Sequence, residues 1–261
     1  MLVELADDRL GVRLFVKHDD NKRRKLKYNL IAAREQGQHT LVTFGGAYSN
    51  HIRATATAGR LHGFATVGVI RGEEHLPLNP MLRYATEQGM HLTYLDRDSY
   101  RRKELPPGLG EHYLLPEGGS NELAVRGCAE LGAELGEEFD VVSVPVGTGG
   151  TLAGLAAGLK HGRALGFSVL KGGEFLTDEV AALQRRTYGE VRGSWSIETE
   201  FHFGGYAKTT PALTSFLTDF ESRHGLALDP IYTGKMMFGL YALADAGAFP
   251  TGARICAVIT G

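Results

Sequence analysis

The sequence predicts an α/β chain built on open parallel sheets, and three observations carry that prediction. Short apolar or β-branched runs alternate with amphipathic, Ala- and Leu-rich stretches, the rhythm of strand, crossover helix, strand. Glycine is abundant, 35 of 261 residues, and scattered without a collagen period or low-complexity block, which implies many tight turns and close backbone approaches. At three places a glycine-rich turn directly follows an apolar run and directly precedes a helical one. Ligands of open parallel sheets sit at the carboxyl ends of strands, where such turns lie.

In chain order, Leu14–Val16 reads as the first strand, and the basic run Asn21-Lys22-Arg23-Arg24-Lys25-Leu26-Lys27-Tyr28-Asn29-Leu30 then turns amphipathic, as a helix beginning near a ligand would. Thr40–Phe44 is a strand leading into Gly45-Gly46-Ala47-Tyr48-Ser49-Asn50-His51, and Ala54–Leu61 a helix. Strands follow at Ala65–Ile70 and His91–Tyr94. Arg101–Gly110, with its charges, Pro106-Pro107 and glycines, reads as a loop or a linker between two α/β units. Tyr113–Leu115 is a strand before Pro116-Glu117-Gly118-Gly119-Ser120-Asn121 and the helix Leu123–Leu135. Val141–Val146 runs into Gly147-Thr148-Gly149-Gly150-Thr151 and the helix Leu152–Lys160, with further strands at Phe167–Leu170 and Arg254–Ile259. No internal repeat is visible.

Composition narrows the function. The length and 43% hydrophobic content suffice for one large α/β domain or two smaller ones sharing a cleft. A net charge of -2 provides no basic field to gather nucleic acid, so any anion is bound locally. The absence of a membrane-length apolar run and of a charged-then-apolar leader gives the expectation of a cytoplasmic protein with no membrane or nucleic-acid partner. Cys128 and Cys256 have no metal-ligand spacing and are expected as reduced, buried thiols; the histidines form no ligand pattern, so no metal is expected.

The chemistry centres on Gly147 to Thr151. Its glycines let backbone N–H groups converge on an anion, its threonines add hydroxyl donors, and the following helix adds a favourable dipole. Phosphate is the natural guest. The loop has no P-loop lysine, and Leu152 stands where a dinucleotide motif needs its third glycine, so nucleoside triphosphate and NAD readings fall. The basic run taken alone is a solvated helix face; beside a phosphate cleft, Lys22 is suited to a Schiff base, with Arg23, Arg24 and Lys25 crowding its charge.

Asn21-Lys22 with Arg24-Lys25-Leu26, Gly45-Gly46 with Ser49-Asn50-His51, Pro116 to Asn121, Gly147 to Thr151, Gly204-Gly205-Tyr206-Ala207-Lys208 and Leu228-Asp229-Pro230-Ile231-Tyr232-Thr233-Gly234-Lys235 together resemble the D-cysteine desulfhydrase and 1-aminocyclopropane-1-carboxylate deaminase family. The six motifs occur in order and span nearly the whole chain. The resemblance implies a tryptophan-synthase-β-like fold: two open parallel-sheet, three-layer domains, residues 26–115 and residues 1–25 with 116–261, enclosing a pyridoxal 5'-phosphate cleft in a homodimer. It implies Lys22 as the Schiff-base lysine, Asn50 on the cofactor's phenolic oxygen, and Gly147, Thr148, Gly149, Gly150 and Thr151 around its phosphate. Thr233 would sit by the pyridine nitrogen. Ser49, Asn50 and His51 would face the substrate carboxylate, and Ser49, Tyr206 and Tyr232 would be the catalytic groups besides Lys22.

The activity so implied is breakdown of a small amino acid, with β-elimination from D-cysteine or a related D-amino acid to pyruvate, ammonia and hydrogen sulfide preferred over deamination of 1-aminocyclopropane-1-carboxylate. Thr233 decides that preference, because a hydroxyl does not force a proton onto the ring nitrogen as the deaminase branch's glutamate would. A rival of another class is a non-catalytic amino-acid or phosphate-binding module. Two stretches of the family pattern are missing, a glycine-containing loop between Asp20 and Asn21 and a glycine-rich turn beyond Gly261; each is absent either from the protein or from this sequence.

Overall fold

The computed structural model describes residues 2–260. The chain runs β1 (Leu2–Leu5), β2 (Arg13–Asp19), α1 (Asn21–Glu35), β3 (Thr40–Gly45), α2 (Asn50–His62), β4 (Ala65–Arg71), α3 (Pro80–Glu87), β5 (Met90–Leu95), α4 (Arg97–Arg101), β6 (Tyr113–Leu115) and α5 (Glu122–Leu135). It continues through β7 (Val141–Val146), α6 (Gly150–Gly158), β8 (Arg163–Ser168), α7 (Leu176–Tyr188), β9 (Trp195–Glu198), α8 (Pro211–His224), α9 (Thr233–Asp245) and β10 (Arg254–Thr260). Two compact units result: Met1–Asn21 with Cys128–Gly261, and Lys22–Gly127.

The larger unit holds a six-stranded sheet in the order β1-β2-β10-β7-β8-β9, parallel except for β1. Side chains of successive strand residues point to opposite faces. On β8, a side chain at Gly166 would run into Leu152 of α6, while Phe167 contacts Gly239 of α9, so helices cover both faces. The core on the α9 side gathers Leu14, Val141, Leu165, Phe167, Phe220, Met236 and Ile255. α5 and α6 touch backbone to backbone: a Cβ on Gly158 would lie 2.0 Å from the Ala129 carbonyl oxygen, which admits no other residue there.

The smaller unit holds the all-parallel sheet β5-β4-β3-β6. Again alternation assigns the faces: Val42, Phe44 and Val69 pack with Tyr100 of α4, whereas Ile70 packs with Ile52 and Ala56 of α2.

Three expectations need revision. β1 and β9 are four-residue edge strands with no buried position, too short for their alternation to register. β8 begins four residues before the expected Phe167 and ends at Ser168, where the Ser168 hydroxyl accepts from Leu170 N and turns the chain out of the sheet. Arg101–Gly110 lies within the smaller unit, between α4 and β6, and is not a link between units. Cys128 and Cys256 are buried thiols outside any disulfide, as expected. Among the described residues no group of His, Cys, Asp and Glu could hold a metal ion, and no helix is long and apolar enough to cross a membrane.

Candidate active site

In the larger unit, β7 ends in the loop that starts α6. Gly149 takes a left-handed φ of 79°, and α6 begins there with no side-chain cap on its first-turn N–H groups. A Cβ on Gly149 would lie 2.8 Å from Val180 Cγ2, so that face of the loop is packed against α7; at Gly147 a Cβ would meet only the Tyr232 ring, 3.5 Å away. Uncapped N–H groups, the hydroxyls of Thr148 and Thr151 and the helix dipole form a donor set that fits a phosphate dianion. Asn21 Nδ2 donates to Thr151 Oγ1 at 2.9 Å in a buried bond that fastens the start of α1 to this loop. Lys22 is the next residue along the chain, so its stem starts one peptide from the loop's anchor.

Two phenols stand in the same unit: Tyr232 Oη donates to Tyr206 Oη at 3.4 Å, with the rings edge to face at 5.9 Å. Asp229 builds the start of α9 beside them. Its Oδ1 accepts from Ile231 N at 3.0 Å and Tyr232 N at 2.7 Å, and its Oδ2 accepts from Thr233 N at 2.9 Å and from the Thr233 hydroxyl at 2.5 Å. The Thr233 hydrogen is therefore committed to Asp229, and what the buried hydroxyl offers any other partner is a lone pair.

In the smaller unit, β3 leads into α2, with Ser49 as N-cap: its Oγ accepts from Ile52 N at 3.4 Å. The backbone N–H groups of Asn50 and His51, in the first turn, have no intrahelical acceptor. His51 is buried, and its tautomer follows from its neighbours. The Thr43 hydroxyl donates to the Leu115 carbonyl at 3.0 Å, so it accepts at 2.9 Å from His51 Nε2–H. Nδ1 is then a buried acceptor without a partner. Burial, followed by the Lys22 and Lys25 charges, holds the imidazole well below its usual pKa and neutral. Lys25 is also buried, its Nζ bonded to Gly118 O at 3.0 Å and Ser120 Oγ at 2.9 Å. Gly119 leaves room for His51, since a Cβ there would stand 2.6 Å from the ring. The Pro116 to Asn121 turn thus supports the site, and Asn121 caps α5 through Ala124 N.

The structure brings Gly147 to Thr151, Tyr206, Tyr232 and Thr233 together in one unit, and Lys22, Ser49, Asn50 and His51 in the other. Sequence reading gave no role to Asn21, Asp229 or Lys235. Two signals were present: an Asp before a Pro in a turn bonds backbone N–H groups two and three residues on, and a Lys inside an apolar helix invites the question of its partner.

The model of the family described as pyridoxal-phosphate dependent enzyme matches residues 2–261. A Pyrococcus furiosus protein provisionally named 1-aminocyclopropane-1-carboxylate deaminase is 33% identical over 97% of this chain and 85% of its own. A Klebsiella pneumoniae D-cysteine desulfhydrase is 28% identical, covering 89% and 81%. A crystal structure described as an ACC deaminase homologue superposes with a TM-score of 0.87 at 28% identity, covering 100% of this chain and 88% of its own. A threonine deaminase from Solanum lycopersicum shares the fold, with a TM-score of 0.68 at 16% identity, covering 97% of this chain and 76% of its own. The tryptophan-synthase-β-like fold expected from the motifs stands, and this chain belongs to the family of pyridoxal-phosphate-dependent enzymes.

Proposed function

We propose that this enzyme eliminates the β-substituent of a small D-amino acid, D-cysteine foremost, yielding pyruvate, ammonia and hydrogen sulfide. Bound pyridoxal phosphate supplies an electron sink for negative charge developing at the substrate's α-carbon. The protein's residues do the rest. Lys22 would hold the cofactor through Nζ, and the same amine, when free, is the base for the α-proton. The N–H groups and hydroxyls of Gly147 to Thr151 hold the phosphate, and the Asn50 amide holds the phenolic oxygen. The substrate carboxylate meets the Ser49 hydroxyl and the N–H groups that open α2; His51 contributes its backbone there, since its ring hydrogen is spent on Thr43. The Tyr206–Tyr232 pair gives a proton at the departing sulfur.

The observation that carries elimination is position 233, where a hydroxyl and not a carboxylate would meet the ring nitrogen. A good leaving group such as thiolate needs only a mild sink. One observation favours the second reading, deamination of 1-aminocyclopropane-1-carboxylate: the Asp229 carboxylate behind Thr233 turns that hydroxyl into an acceptor and favours a protonated nitrogen. Thr233 alone would leave the ring unprotonated; Thr233 bonded to Asp229 does not. Kinetics on D-cysteine, β-chloro-D-alanine and the cyclopropane substrate, with wild type and Thr233→Glu, test the choice. Efficient wild-type turnover of the cyclopropane substrate with none of D-cysteine overturns elimination and leaves the cofactor assignment intact.

A further inference from the structure

Lys235 lies on α9, two residues after Thr233, and its side chain is fully buried. An ammonium in a protein interior needs strong partners, and among the described residues no carboxylate lies within ion-pair distance of it. Its Nζ instead donates to two carbonyls, His202 O at 2.9 Å and Gly205 O at 2.8 Å. Those carbonyls bracket a turn of unusual backbone: Phe203, Gly204, Gly205 and Ala207 have positive φ values of 53°, 92°, 114° and 56°. L-residues such as Phe203 and Ala207 resist that region and adopt it only where surroundings hold them. The backbone N–H groups of Gly204, Gly205 and Lys208 bond within the turn: Gly204 N to His202 Nδ1 at 2.9 Å, Gly205 N to His202 O at 3.0 Å, and Lys208 N to Gly205 O at 3.1 Å. Lys235 ties the backbone of this turn to the interior of α9. Between the two gripped carbonyls and the strained Ala207 sits Tyr206, whose hydroxyl receives the bond from Tyr232, itself the residue at the cap of α9.

We propose that Lys235 is a positioning residue for the reaction: by gripping the carbonyls of His202 and Gly205 it fixes the turn that holds the Tyr206 hydroxyl against Tyr232. α9 then carries both ends of the phenol pair, Tyr232 directly and Tyr206 through the buried amine. An apolar side chain at 235 would fill the same space but would leave each carbonyl only its bond within the turn, with the backbone of the turn no longer tied to the interior of α9. The inference rests on the reading that Tyr206 acts on the substrate.

The holoenzymes of Lys235→Met, Lys235→Gln, Tyr206→Phe and the double variant Lys235→Met/Tyr206→Phe test it, with kcat and KM on D-cysteine, cofactor absorbance, and amide hydrogen exchange over 202–208. The expected result is a kcat lowered at least tenfold in Lys235→Met with cofactor absorbance retained, faster exchange confined to the turn, partial rescue in Lys235→Gln, and a double variant no worse than Tyr206→Phe alone. Multiplicative losses in the double variant, or unchanged exchange in the turn while Tyr206→Phe is impaired, overturn the proposal and leave the role of Tyr206 standing. Wild-type kinetics in Tyr206→Phe defeat that underlying reading, and the positioning role of Lys235 with it. If Lys235→Met does not fold, Lys235→Gln, which keeps an N–H donor group on a shorter stem, decides on the same readouts.

Discussion

Replacing Gly147 by Asp should weaken cofactor binding about a thousandfold while leaving the fold intact. A Cβ at Gly147 meets nothing nearer than Tyr232 Cε1 at 3.5 Å and Oη at 4.0 Å, and no left-handed φ constrains the residue. A carboxylate therefore fits, on the side of the loop that is not packed against α7. Two unit charges about 4 Å apart repel by about 4 kcal/mol at an effective dielectric constant of about 20, and a dianion repels more strongly. About 4 kcal/mol corresponds to a factor of about 10³ in the dissociation constant. Gly147→Asn supplies the same shape without the charge, so the difference between the two variants isolates the electrostatic part, and added salt should narrow it. Titrating each apoenzyme with pyridoxal phosphate and following protein-bound absorbance measures the constants; apoenzyme melting checks the fold. Equal affinities for the Asp and Asn variants would refute the assignment of this loop to the phosphate. Gly149 is the wrong place for the same experiment, because its side chain would be driven into Val180 and would report on packing.

Three further outcomes follow from the geometry. Lys22→Ala should fold and melt like wild type but lose the protein-linked chromophore and its fixation by borohydride; a variant that stays yellow through a covalent link to the protein would sink the assignment. Asp7, with a side chain 5% exposed, accepts bonds from Arg9, Arg223 and Tyr241; burial alone would push its carboxyl up, but those bonds and the Arg223 charge hold it well below the usual carboxylate range, while Tyr241 is pushed up to about 12. A depressed carboxyl contributes stability above its unfolded pKa and loses it as pH falls toward its folded one, so Asp7→Asn should cost about 3 kcal/mol at neutral pH and flatten the acid limb of the stability curve below about pH 4; an unaltered limb would count against it. Gly158→Ala should lower the unfolding free energy by about 3 kcal/mol through the collision with the Ala129 carbonyl, and an unchanged denaturation midpoint would mean that α5 and α6 can part without cost.

The parallel architecture was legible in the sequence because a buried parallel strand advertises itself. Val141–Val146 is apolar almost throughout and ends in glycines, and both its span and its turn came out as expected. Edge strands carry a weaker signal: β1 and β9 have four residues each and no buried position, too little for a period of two to stand out. Gly166 masked β8 in a different way, since a strand glycine looks like a breaker and here makes room for Leu152.

At the site, residue types were legible and their hydrogen-bond polarity was not. Ser49, His51 and Thr233 were each read as groups facing a ligand, yet each spends part of its hydrogen-bonding capacity inside its own unit: Ser49 on Ile52 N, His51 Nε2–H on Thr43, and the Thr233 hydrogen on Asp229. A one-letter string shows that a hydroxyl is present; which way its hydrogen points is decided by a third residue, Leu115 O for the Thr43–His51 pair and Asp229 for Thr233. That third residue can invert the chemistry. Threonine facing a ring nitrogen as donor favours the bare base, whereas threonine backed by a carboxylate offers a lone pair and favours the conjugate acid, which makes Asp229 as much a part of the specificity argument as the residue it touches.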